Sequence, residues 1–184
     1  MGYTFLSSQT ASTSSSIDFT SGIDGTYDEY LFTIVNYKPE TDSQQICFQV
    51  DTGTNTSYNQ TITSTSFYAG TSDTGGWAQV VYAGGHDQAE GDTALQILTY
   101  GGESNTIPSL TSSGELRLYA PSSSTYVKHF TASNNLIYDS SGTRYCIAFH
   151  SAGYVNTTTA LTRVRFAATT GNMYTGTFTL YGVS

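Results

Sequence analysis

The chain has 184 residues, a formal net charge of −8 and only 11% charged side chains, against 14% aromatic ones. Its 24 Ser and 31 Thr do the solubilising that Lys and Glu usually do. This excludes charge-driven disorder, a helical bundle and a phosphate-attracting surface, and leaves one domain with about 70% of its extended-chain surface available for burial.

In chain order, Met1–Ser16 reads as an N-terminal arm or anchoring segment. It ends in the low-complexity run Thr10–Ser16, and residues 17–184 read as a single β domain. The first residues lack the basic and apolar regions of a secretory signal. Gly2 and Ser7 fit the loose myristoylation pattern, but no basic patch follows to hold a membrane, and no apolar run of about 20 residues exists, so no membrane partner is expected.

From there the dominant signal is period-two alternation, broken every 8–12 residues by Gly, Ser, Asn or Asp clusters. Strands are predicted at Ser16–Thr20, Glu29–Asn36, Gln45–Asp51, Thr61–Ala69, Trp77–Ala83, Thr93–Thr99, Glu115–Ala120, Thr125–Ala132, Arg144–His150, Leu161–Ala167 and Thr175–Gly182. Ile46, Phe48 and Val50 alternate with Gln45, Cys47 and Gln49, Leu116 and Leu118 with Arg117 and Tyr119, and Val164 and Phe166 with Arg163 and Arg165. Strands of this kind should be dry on one face and wet on the other. Asp87–Leu98 has partial helical spacing, but Gly91 interrupts it and Thr93–Thr99 reads as strand. Pairs such as Asp24-Gly25, Gly84-Gly85, Gly101-Gly102 and Ser141-Gly142 supply turns, and Pro39, Pro108 and Pro121 fall between strands. The expected fold is all-β: a single-domain antiparallel β-sandwich, jelly-roll-like, with a closed barrel as the alternative.

Candidate chemistry is sparse. There is no nucleophile elbow, zinc helix or phosphate loop. His150 and Ser151 are neighbours on a strand and point to opposite faces, while Cys146 and His150 share a face about 13 Å apart, beyond hydrogen-bond reach. Most acids (Asp24, Asp28, Glu40, Asp42, Asp73, Asp87, Glu90, Asp92, Glu103, Asp139) fall in turns, and Glu115 starts a strand, so the paired carboxylates of a glycosidase do not stand out. Gly84–Asp92, with one His and three acids, is the most metal-like stretch but matches no calcium-loop spacing. Trp77, Tyr82, Tyr100 and Tyr174 lie near loops, where aromatics can stack on sugars. Asn55, Asn59 and Asn156 open sequons that mean little without secretion. Cys47 and Cys146 are too few for a disulfide framework, and a single bridge between them stays open. No catalytic, cofactor or metal site is therefore assigned, and no cofactor or nucleic-acid partner is expected.

The N-terminal run Met1–Asp24 resembles the start of small virion structural proteins of marine tailed bacteriophages. Tyr27-Asp-Glu-Tyr-Leu-Phe32, Ser124-Thr-Tyr-Val-Lys-His-Phe130 and the closing Gly171-Asn-Met-Tyr-Thr-Gly-Thr-Phe-Thr-Leu-Tyr-Gly182 are similar to that family too, with Thr52–Gly114 weakly matched. The resemblance implies a non-enzymatic β-sandwich displayed on a virion, as capsid decoration, head fibre or tail appendage. It would assemble in the host cytoplasm as a homo-oligomer, expected to be a homotrimer, on major capsid or tail proteins. The alternatives are a glycan- or receptor-binding module of a tail fibre, using Trp77, Tyr82 and the Gly84–Asp92 loop, and a glycoside hydrolase or depolymerase with two carboxyl groups in one cleft.

Overall fold

Alternating β-branched and aromatic residues form twelve strands in this computed structural model, which describes residues 2–89, 92–101, 107 and 109–184. They are β1 (Tyr3–Ser14), β2 (Ile17–Phe19), β3 (Glu29–Pro39), β4 (Ile46–Thr52), β5 (Ile62–Ser72), β6 (Ala78–Tyr82), β7 (Gln96–Ile97), β8 (Ser112–Tyr119), β9 (Lys128–Ser140), β10 (Thr143–Val155), β11 (Leu161–Ala168) and β12 (Met173–Val183). All pairings are antiparallel. They make an eight-stranded sheet, β1-β12-β3-β8-β9-β10-β5-β6, and a four-stranded sheet, β2-β11-β4-β7.

Setting β5, β6, β9 and β10 aside leaves β1-β12-β3-β8 facing β2-β11-β4-β7. Each link β1–β2, β3–β4, β7–β8 and β11–β12 then crosses from one sheet to the other. That is the double Greek key of a jelly roll. The remaining four strands are two insertions that widen one sheet only: β5–β6 between β4 and β7, and the β9–β10 hairpin between β8 and β11. The sandwich is thus lopsided, eight strands over four.

The principal core lies where the two sheets overlap. Phe32 and Phe178 from the large sheet meet Phe19 and Phe166 from the small one, with ring centroids 5.2–6.2 Å apart. Under the widened half a second cluster forms from Tyr68, Ala83, Leu136, Ile147 and Phe149. Ala83, His86 and Tyr100 pack in or against it, and glutamine side chains pin residues 86–88 and 94–97 in place. Gln96 Nε2 donates to His86 O (2.9 Å), Gln88 Nε2 to Ala94 O (2.9 Å), and Ser64 Oγ to Gln96 Oε1 (2.6 Å). Hydrogen bonds of this kind from buried amides fix a segment that has little apolar surface of its own.

Three sequence expectations change. The predicted strands begin at Ser16, yet residues 3–14 are a long edge strand on β12, with Ala11 alone fully in the core and Leu6 packed against it. Backbone pairing and contacts such as Ser8 Oγ to Thr179 Oγ1 (3.0 Å) hold it, so it carries almost no apolar signature. β4 is not half wet: Cys47, Gln49 and Asp51 are fully buried beneath residues 53–61 and 92–98. There Gln49 Nε2 donates to three carbonyls, while Tyr58 N and Gln60 Nε2 donate to the Asp51 carboxylate. The Thr93–Thr99 strand shrinks to Gln96–Ile97 for the same reason, because its neighbours serve as acceptors for Gln49 and Gln88. Glu90, Gly91, Gly102, Glu103 and Pro108 lie outside the described residues.

Candidate functional site

Because side chains alternate across a strand, the eight-stranded sheet has one face on the two cores and one turned away. Among the described residues nothing packs over that outer face. Cross-strand register aligns its side chains in rows. One row runs Thr179, Thr33, Glu115, Ser133, His150, Phe67 and Tyr82 from β12 to β6; beside it Thr177 and Val35 stand in register on β12 and β3, and Ser113, Asn135, Ala148, Ala69 and Val80 run from β8 to β6. Hydroxyls, small apolar groups and a few aromatics make up this surface.

Charged side chains on this face include a cluster around Arg117 and, in register at the end of the β9–β10 hairpin, Asp139 and Arg144. Arg117 of β8 sits between Glu29 of β3 and its own neighbour Glu115. Its Nε donates to Glu115 Oε1 (2.9 Å), its Nη1 to Glu29, and its Nη2 to the Tyr3 hydroxyl (3.4 Å). Glu115 first, then the Tyr3 hydroxyl and Glu29, push the guanidinium further up from its already high range, so it stays charged. Two carboxylates share one arginine here, so the cluster keeps one negative charge in excess.

The same face has three shallow depressions. One of about 530 Å³ is lined by Ala69, Thr71, Ala78, Val80, Cys146 and Ala148. A second of about 280 Å³ lies between Phe67, His150, Glu115, Thr131 and Ser133, with the Phe67 and His150 rings stacked 5.2 Å apart. The third, about 330 Å³, is bordered by Tyr3, Leu31, Thr33 and Tyr181. Their linings are mostly apolar, and they are spread across the face, not gathered into one pocket.

The residues singled out in the sequence do not converge. Trp77 points inward against Tyr145 (5.4 Å) and over Gly70, where a Cβ would stand 2.8 Å from the indole. Tyr82, five residues on, points outward and donates its hydroxyl to Asp87. Tyr100 stacks on Tyr68 at 3.9 Å inside the second cluster, and Tyr174 is exposed on β12. His86 of the Gly84–Asp92 loop also turns inward, 5.2 Å from Tyr100 and 5.6 Å from Phe149, and burial pushes its imidazole below the ordinary value while Asp87 opposes the shift. No group of three or more His, Cys, Asp or Glu side chains comes together among the described residues. Cys146 and His150 share the outer face of β10, two positions apart on it. Asn55, Asn59 and Asn156 are exposed. Cys47 is buried in β4 and Cys146 is exposed in β10, and the two are not bridged.

On the small sheet, Arg165 grips Asp18 through two bonds (2.8 and 2.7 Å) and lies 3.9 Å over the Tyr58 ring. That cluster fastens β2 and the 53–61 segment to β11 and borders a depression of about 420 Å³ lined by Ser15, Ser16, Ser57, Tyr58, Leu95, Arg165 and Ala167.

Sequence reasoning missed the outer face as a unit, because its breadth comes from β9 continuing through Ser133-Asn-Asn135 to Ser140. Those residues look like a loop but pair with β10 throughout. The alternation of Leu136 and Tyr138 with Ile137 was the available signal.

A jelly-roll sandwich with one enlarged, bare, sparsely charged sheet face is thus the class that fold and surface define. No protein-family model, curated protein or solved structure matches the chain.

Proposed function

We propose that the chain is a structural protein of a bacteriophage virion, displayed on the particle as capsid decoration, head fibre or tail appendage, and that it acts by assembly and not by catalysis. Its partners are copies of itself, as the homotrimer expected from the sequence, and the major capsid or tail proteins beneath. The observation that carries this reading is the outer face of the eight-stranded sheet. A surface of Thr, Ser and small apolar residues with few charged side chains resembles an interface core, from which charges are depleted and where short side chains lose little entropy on contact. The resemblance of Met1–Asp24 and Gly171–Gly182 to phage virion proteins supports the same setting. In this reading Met1–Ser16 still anchors the chain, but as an edge strand that presents Tyr3 and Phe5 beside the face. Gold-labelled antibody against the chain should decorate purified particles at the capsid exterior or the tail. Purified particles that lack the polypeptide would refute the proposal.

A further inference from the structure

The two ends of the eight-stranded sheet are differently guarded. At the β1 edge Leu6 is an extra residue in a bulge between Phe5 and Ser7, and Thr13 is left-handed (φ 51°), so the strand bends away from any would-be neighbour. The β6 edge has no such device. Its pairing with β5 runs without a register shift, and residues 77–85, Trp-Ala-Gln-Val-Val-Tyr-Ala-Gly-Gly, contain no charge and no proline. Val80 is 75% exposed and Tyr82 62%. Among the described residues no strand lies beyond it.

The hydrogen-bond phase of that edge is set by its neighbours. Ser72 N donates to Trp77 O (2.9 Å) and Ala83 N to Ser66 O (2.9 Å), so 77, 79, 81 and 83 turn their backbone groups toward β5. Antiparallel strands alternate, and Ala78, Val80 and Tyr82 therefore point N–H and C=O outward with no strand to receive them.

We propose that β6 is a self-pairing edge: two copies join β6 to β6 antiparallel about a two-fold axis through Val80, continuing one eight-stranded sheet into the other. The register is self-complementary. Val80 faces Val80, and Ala78 faces Tyr82 twice, each pair exchanging two backbone hydrogen bonds, with the large ring always opposite the small methyl. A second copy is the occupant because the strand supplies its own complement in shape, phase and neutrality, and the apolar depression lined by Ala69, Ala78, Val80 and Ala148 adjoins the seam. The nearest acids, Asp73 and Asp87, sit in the turns at opposite ends of β6, so each meets the other's counterpart across the axis and salt favours the pair. A five-residue edge falls short of the roughly 1,000 Å² of a stable complex, so the contact is weak, with a dissociation constant on the order of 0.1 mM. It is distinct from the three-fold assembly proposed above and would double whatever the rest of the chain forms: monomer to dimer, or trimer to hexamer.

Sedimentation of the full chain at up to about 1 mM in about 0.15 M salt should show that doubling, and amide exchange at Val80 and Tyr82 should slow with concentration. Val80→Pro removes only an outward N–H and leaves the β5 ladder intact, while Val80→Lys keeps the N–H but places two like charges face to face. Both variants should keep the unfolding midpoint and weaken doubling tenfold or more. A wild-type chain that does not double at 1 mM, or doubling unchanged in both variants, overturns the proposal. Neither result bears on whether the chain is found on particles.

Discussion

Phe166 is where the two sheets are joined, and its removal tests the sandwich itself. The side chain is fully buried on β11 and touches three other rings: Phe178 at 5.2 Å, Phe32 at 5.6 Å and Phe19 at 6.2 Å. Two of these partners belong to the large sheet and one to the small sheet, so truncation opens a cavity at the seam. Phe→Ala at such a site costs about 3–5 kcal/mol, including the part that comes from ring-to-ring contacts. A chain of this length loses roughly 2–4 °C of melting temperature per kcal/mol, so Phe166→Ala should melt about 6–20 °C below the parent. The matched control is Phe67→Ala on the outer face, 46% exposed and stacked only on His150, for which we expect less than about 1 kcal/mol. Calorimetry or denaturant unfolding of both variants reads the difference directly. Near-equal losses for the two would refute the assignment of the inner and outer faces.

Other substitutions probe the remaining features. The folded His86 imidazole titrates below its ordinary 6.5, so its contribution to stability is complete above that pH and is lost as pH falls from 6.5 toward the folded value. His86→Phe should therefore flatten the wild-type decline between pH 7 and about pH 5 in thermal unfolding, and an unchanged decline would count against its burial. Arg165→Lys gives up the two-pronged grip on Asp18 and the stacking on Tyr58; with both ionic side chains about 30% exposed, the expected loss is about 1 kcal/mol in urea unfolding. Gly182→Ala would drive a Cβ into the Tyr27 ring, and should cost about 1–3 kcal/mol by the same measurement. A thiol reagent should modify Cys146 in the native chain and Cys47 only after unfolding; equal native reactivity would contradict the placement of β4.

The sandwich was legible because most of its strands announce themselves. Leu116 and Leu118 alternate with Arg117 and Tyr119, Val164 and Phe166 with Arg163 and Arg165, and in each case the apolar set faces the core. Where the sequence misled, local pattern and tertiary context parted. β1 is held by backbone pairing to β12 and buries almost nothing but Ala11 and Leu6, so Ser and Thr there look like a tether. Gln49 and Asp51 look wet but are sealed beneath residues 53–61 and 92–98, Gln49 donating to the Gln60, Thr93 and Ala94 carbonyls and Asp51 accepting from Tyr58 N and Gln60 Nε2. Asn134 and Asn135 look like a turn but lie in mid-strand, Asn134 turned into the interior and Asn135 donating to Ile147 O (3.2 Å). The outer sheet face, the proposed docking surface, was the least legible part. It belongs to no single segment and exists only once β5, β6, β9 and β10 have been added to one side of the jelly roll.

The direct test of that surface is hydroxyl-radical footprinting of the chain free in solution and assembled on particles. Assembly should suppress oxidation of Phe67, Tyr119 and Tyr181 on the outer sheet face and leave Tyr126, in the loop before β9, as reactive as before. Unchanged reactivity of the three face residues on assembled particles would contradict the account.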